Sequence, residues 1–253
     1  MNNVDEMKKY RKAIRILQER GFKAFVKAFF TVSKEALCRL DLILTRLWVR
    51  EFHRVYYYSD VWRNTYWMGT RVLQCPLDMW VLQEIIYKTE PDFIIETGTS
   101  EGGSAIFFAH VFDLIDHGKV ITIDIEDRPI PSHPRIIKIV GDSNSVDTSN
   151  KVKSMVGSRR TMVFLDSLHN AEHVLKELEL YSEFVSKGCY LIVADTNVNG
   201  HPVLAGFREG NRKGGPMEAV KEFIKHHDEF MIDRRREKFF MTQFPKAFLL
   251  RTK

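Results

Sequence analysis

From residue 76 onward the chain alternates short apolar runs with longer amphipathic stretches. The runs Phe93–Glu96, Val120–Ile125, Ile136–Val140, Thr161–Leu165 and Cys189–Ala194 are rich in Ile, Val and Phe and read as buried strands. Between and around them, Leu77–Thr89 (with Pro76 near its start), Gly103–Asp116, Asn144–Val156, Ala171–Val185 and Met217–His227 carry helical periodicity. Strands alternating with helices predict βαβ units and a Rossmann-like α/β fold, a mostly parallel sheet with helices on both faces. Two last apolar runs, near Phe230–Asp233 and Ala247–Arg251, fit an antiparallel edge.

Residues 1–58 follow a different rule. Ile14, Leu17, Phe22, Phe25, Val26 and Phe29 recur at helical spacing among Lys8, Lys9, Arg11, Lys12, Arg15, Lys23 and Lys27. This predicts a helical appendage over 1–58 attached to a domain over 59–253. Its apolar side fits either the rest of the protein or a second subunit, giving a homo-oligomer. Alternatively it lies on an anionic membrane surface, peripheral to the inner face. The first reading is the simpler. No apolar run ends in a small-residue cleavage site, and none reaches the roughly 18 residues of a spanning helix. Three scattered cysteines without ligand spacing predict reduced thiols and a cytoplasmic protein. The net charge of +5 favours an anionic surface or ligand, but Lys and Arg form no clustered stripe, so no nucleic-acid partner is expected.

Chemistry gathers where the strands end. In open α/β sheets, ligands bind beyond the carboxyl ends of the strands, where strand order reverses. Read to their ends, five successive strands give Glu96 with Gly98, Asp124, Asp142 with Ser143, Asp166, and Asp195. One acidic residue there is an ordinary turn or cap; five in register point to a site. The segment from Glu96 to Gly103, with Gly98, Ser100, Gly102 and Gly103, forms a glycine-rich strand-to-helix turn that lets a ligand approach the backbone. Its spacing departs from GxGxxG, and Glu96 and Glu101 would repel a pyrophosphate. S-adenosylmethionine (SAM), with its ammonium and sulfonium, suits them better. Asp124 can accept both ribose hydroxyls, and Asp142-Ser143 can reach the adenine edge.

The series Pro76-Leu77-Asp78, Gln83-Glu84, Glu96-Thr97-Gly98-Thr99, Thr122-Ile123-Asp124, Leu165-Asp166-Ser167, His169 and Asp195 to Pro202 resembles the cephalosporin hydroxylase/rhamnosyl O-methyltransferase family over roughly residues 55–250. The resemblance implies a class I methyltransferase fold and a SAM- and Mg2+-dependent O-methyltransferase acting on a sugar-containing acceptor, such as a glycolipid, glycan or glycosylated natural product. It further implies that Asp166 and Asp195 hold the metal and that His169 is the catalytic base beside Asp166. One position departs: an acidic residue commonly precedes the aspartate of the fifth strand, where this chain has Ala194. A hard cation would stabilise the developing alkoxide, and an imidazole with a pKa of about 6.5 can take the hydroxyl proton.

Other readings stay open. A relative that binds SAM but is catalytically inactive would accommodate Ala194. His173, four residues past His169 on one helical face, would complete a two-histidine, one-carboxylate iron site with Asp166, the signature of a hydroxylase. The glycine-rich stretch 197–215 is a candidate lid. Tyr56–Tyr58, Trp62, Tyr66 and Trp67 are read mostly as packing, although aromatic faces also suit sugars.

Overall fold

The computed structural model describes residues 45–205 and 214–253. The chain divides into two units, Met1–Glu51 and Phe52–Lys253, and the second carries the sheet. Most of the segment read as a helical appendage lies outside the described residues; its described end is helix α1 (45–58). After a short 3-10 turn at Val61–Asn64 come a small hairpin, β1 (Tyr66–Trp67) and β2 (Thr70–Arg71), and helix α2 (Pro76–Thr89). Then follow β3 (Phe93–Thr97), α3 (Gly103–Leu114), β4 (Lys119–Asp124), β5 (Ile136–Val140), α4 (Val146–Val156), β6 (Thr161–Leu165) and α5 (Ala171–Tyr181). The chain closes with β7 (Tyr190–Val193), α6 (Pro216–Phe223), β8 (Phe230–Ile232) and β9 (Phe248–Arg251).

Seven strands form one sheet in the order β5-β4-β3-β6-β7-β9-β8. The five from β5 to β7 are parallel, whereas β9 runs antiparallel to both β7 and β8, as the two terminal apolar runs suggested. β3 is buried along its whole length because it pairs on both edges, Ile95 opposite Ile121 on one side and Val163 on the other. That position requires a strand without alternation. The helices fall into two packed groups, α2 with α3, and α5 with α4 and α6. Phe108 and Phe112 of α3 and Phe164 of β6 lie in the core between helices and sheet.

Chain order reverses at β3. The next two strands, β4 and β5, step outward on one side, and the chain then returns to lay β6 and β7 on the other. The carboxyl ends of β3 and β6 therefore open a crevice between diverging connections. The start of α2 is tied to the far end of the chain. The buried Asp78 carboxylate accepts from the Gln243 amide (2.7 Å), and the Cys75 amide donates to the Gln243 side chain (2.8 Å).

Several boundaries move for local reasons. α4 starts at Val146 rather than Asn144 because the Ser145 side chain caps it, accepting from the Asp147 amide. The run 171–185 breaks at Tyr181 into a 3-10 turn over Ser182–Phe184. The β1–β2 hairpin had no counterpart in the periodicity: its strands are two residues each, joined by Met68 (φ 48°) and Gly69 (φ 84°).

Candidate active site

The turn after β3 is built around a close approach. Gly98 has φ 86°, and a Cβ there would lie 2.0 Å from the backbone oxygen of Asp166. Only glycine lets the ends of β3 and β6 meet in this way. Ser100, itself at φ 47°, donates its amide to Asp124 Oδ2 (2.9 Å), while the Glu126 amide reaches Asp124 Oδ1 (3.0 Å). Both oxygens of Asp124 are thereby oriented at the end of β4.

Beneath the turn the Glu96 carboxylate accepts from Thr122 (2.6 Å), whose hydroxyl also meets that of Thr99 (2.7 Å). Glu96 is fully buried, and burial pushes its pKa up to about 8 despite the hydroxyls around it. A cleft of about 820 Å3 opens above. Gly98, Ser100, Gly103, Asp124, Asp142, Ser143, Asp166, His169 and Asp195 line it. Glu96 and Gly102 do not: the first sits under the turn, and the second caps α3 at φ 80°. Asp142 is exposed and accepts from the Asn144 amide (2.9 Å), whereas Ser143 is buried and its carbonyl accepts from Tyr181 (2.9 Å).

At the ends of β6 and β7, Asp166, His169 and Asp195 offer ligand atoms that all lie within 4.8 Å of one another. Among the described residues no other three His, Cys, Asp or Glu side chains meet this way. His169 Nδ1 is 3.1 Å from Asp195 Oδ2, and Nε2 is 3.5 Å from Asp166 Oδ1. Partial burial opposes its charge, but the two carboxylates outweigh it and push the His169 pKa up to about 9. Burial and the neighbouring Asp195 charge raise Asp166 to about 6, with His169 pulling the other way. Asp195 holds φ 54°, a strained conformation for a non-glycine residue and one that clusters at functional sites.

The two-histidine iron arrangement is corrected by the start of α5. That helix begins at Ala171, with Asn170 as its cap accepting from the His173 amide (2.8 Å), so His169 lies before it. The two imidazoles do not share a helical face. His173 instead meets Asn144 Nδ2 (2.8 Å) and Ser167 Oγ (3.0 Å), and Ser167 donates to the buried Glu177 (2.7 Å).

Two lining side chains, Gln74 and Arg71, lay outside the sequence reading of the site. Gln74 donates Nε2 to Asp166 Oδ2 (2.6 Å) from a stretch with no periodicity and no motif. Arg71 pairs with Glu101 (3.1 Å). Tyr57 and Trp62, stacked with centroids 5.5 Å apart, reach the cleft, whereas Trp67 packs on Phe107 (4.9 Å) as expected of a core aromatic. Of the glycine-rich stretch 197–215, residues 206–213 lie outside the described residues.

The family model for rhamnosyl O-methyltransferase/CmcI matches residues 59–252, and 35% of positions over 213 residues are identical to the rhamnosyl O-methyltransferase of Mycobacterium bovis BCG. The chain belongs to the rhamnosyl O-methyltransferase/CmcI family. Membership makes it an O-methyltransferase by class. The M. bovis match spans 79% of this chain and 84% of that protein; the rhamnosyl O-methyltransferase of Mycobacterium leprae is 36% identical over 209 residues, 79% and 89% of the two chains. Among solved structures, a CmcI form described with Mg and SAM superposes with a TM-score of 0.57 at 19% identity, covering 76% of this chain and 78% of that one. MycE from the mycinamycin pathway, described with Mg and SAH, gives 0.51 at 18% identity over 69% and 48%. These two likenesses show the class I methyltransferase fold of the family.

Proposed function

We propose that this family member transfers the methyl group of SAM to a sugar hydroxyl, with a divalent cation held by Asp166 and Asp195 and with His169 as the base. One observation carries the reading: two carboxylates and an imidazole converge at the switch point of the sheet, across from a glycine turn that faces a cleft with an oriented carboxylate, Asp124. The donor set fits both groups. Hard carboxylate oxygens suit Mg2+, and an acidic wall of Asp124, Glu126 and Asp142 suits a cationic cofactor. When bound, SAM supplies the electrophilic methyl and Mg2+ the positive charge that makes a hydroxyl easier to ionise.

The residues then divide the work. Asp124 holds the ribose hydroxyls, Asp142 and Ser143 flank the adenine, and Gly98, Ser100 and Gly103 let the cofactor lie against the backbone. Glu96 and Gly102 shape the turn from behind. Asp195 and Asp166 orient the imidazole of His169, which takes the hydroxyl proton when neutral. The acceptor class rests on the curated relatives, named as acting on rhamnosyl groups, and on Tyr57 and Trp62, whose stacked faces offer a sugar an apolar surface.

The test is transfer of labelled methyl from SAM to a rhamnosylated lipid or phenol. Transfer that stops in excess chelator and returns with Mg2+ is expected. SAM binding without transfer to any sugar would instead identify an inactive relative, and full transfer in chelator would remove the metal.

A further inference from the structure

We propose that Gln74 is a ligand of the divalent cation, its side-chain carbonyl oxygen Oε1 completing the set begun by Asp166 and Asp195. The inference rests on the metal reading above and adds a residue to it. Position 194, immediately before Asp195, holds a buried alanine and contributes no oxygen. The side chain that stands against Asp166 is Gln74, only 4% exposed, with Nε2 2.6 Å from Asp166 Oδ2. Its Oε1 is buried and accepts no hydrogen bond. A buried amide oxygen without a donor is destabilising, and such a group in a native fold calls for a partner.

A carboxamide can face a carboxylate in two ways. Without a cation, Asp166 needs a donor, and the NH2 group turns toward it. With a cation on Asp166, the same position favours an acceptor, and rotation about the last torsion, a broad two-fold one, presents Oε1 instead. The amide is therefore a ligand that also steadies the metal-free site. The backbone is set for this: Leu73, just before Gln74, holds φ 62°, and the Arg71 carbonyl would lie 2.1 Å from a Cβ at Gly103, so the segment is pressed against the start of α3. Charge also balances. Two carboxylates and a neutral carbonyl match a divalent cation without excess negative charge, and they leave coordination positions for water and the acceptor oxygen.

Mn2+ is the probe, titrated into the full-length protein by electron paramagnetic resonance so that no turnover is needed. Gln74→Leu, close in size, should weaken Mn2+ by about tenfold or more. Gln74→Glu, which keeps an oxygen and adds charge, should bind at least as tightly as the wild type. Crystals grown with Mn2+ should place the anomalous peak within bonding distance of Gln74 Oε1, about 2.1 Å for a cation of this kind. Asp195→Asn separates the two claims. If the wild type binds no Mn2+, or Asp195→Asn binds as well as the wild type, the metal reading fails and takes this one with it. If Asp195→Asn loses Mn2+ but Gln74→Leu keeps it, or the peak lies beyond bonding reach of Gln74, the metal stays and Gln74 is not its ligand.

Discussion

Burial holds the Glu96 carboxyl in its neutral form well above the ordinary range, and the consequence for stability has a definite sign. A carboxyl raised from 4.5 to about 8 on folding contributes stability that is fully present below pH 4.5 and is lost as pH rises through about 8. Glu96→Gln, which preserves an acceptor for Thr122, should reduce the fall in melting temperature over that window by about one proton's worth of slope. An unchanged slope would assign the effect to another buried acid, of which Asp78, raised to about 7, is the nearest candidate. At the proposed metal site, Asp166 and His169 would act in the opposite sense on cation binding. The proton on His169, held to about 9, and the one on Asp166, held to about 6, compete with a cation, so Mg2+ affinity should rise with pH between these values and binding should release protons. Calorimetry in buffers of different ionisation enthalpy measures that release, and affinity independent of pH would contradict it. At the other end of the cleft, Asp124→Ala should cost SAM about 1–3 kcal/mol of binding, read by titration. Individual residues were unevenly legible. Asp124, Asp166 and Asp195 stand at the ends of apolar runs and announce themselves. Gln74 does not, because an amide in an irregular connection carries no periodicity, and its meaning comes from a contact 92 positions away.

The glycine turn and the start of α5 are the elements on which the site depends. Gly98→Ala would set a methyl 2.0 Å from the Asp166 backbone at φ 86°, so the ends of β3 and β6 must part. We expect a loss of about 2 kcal/mol or more in denaturant unfolding, together with loss of SAM binding. A variant as stable as the wild type would mean that the close approach is relaxed in solution. The strands themselves were readable because they are central and buried on both faces, which writes continuous Ile, Val and Phe runs into the chain. Helix starts were less so. His169 and His173 share a four-residue spacing, but the Asn170 cap places the helix boundary between them, and a cap competes with periodicity only once the chain is folded. The β1–β2 hairpin escaped notice because two-residue strands have no period to detect.

At the scale of the whole molecule, strand order gathers residues from five separate strand ends into one cleft. Alternating strands and helices implied a parallel sheet, yet the order of its strands and the way Trp62 and residues 71–74 come to line the cleft are long-range matters that periodicity does not encode. No described helix is long and apolar enough to cross a membrane. The basic, amphipathic pattern of residues 1–30 makes a separate proposal, peripheral binding to anionic lipid. The full chain should then co-sediment with phosphatidylserine vesicles at low salt and be released at high salt. Absence of binding at low salt would leave the apolar side to the protein or to a second copy.

The central claim is that the cluster at the ends of β6 and β7 performs the proton transfer, and single-turnover methyl transfer by His169→Ala tests it most directly. With SAM prebound and Mg2+ present, the account predicts SAM affinity close to that of the wild type and a rate about two to four orders of magnitude lower. A variant that binds SAM normally and transfers methyl at the wild-type rate would contradict it.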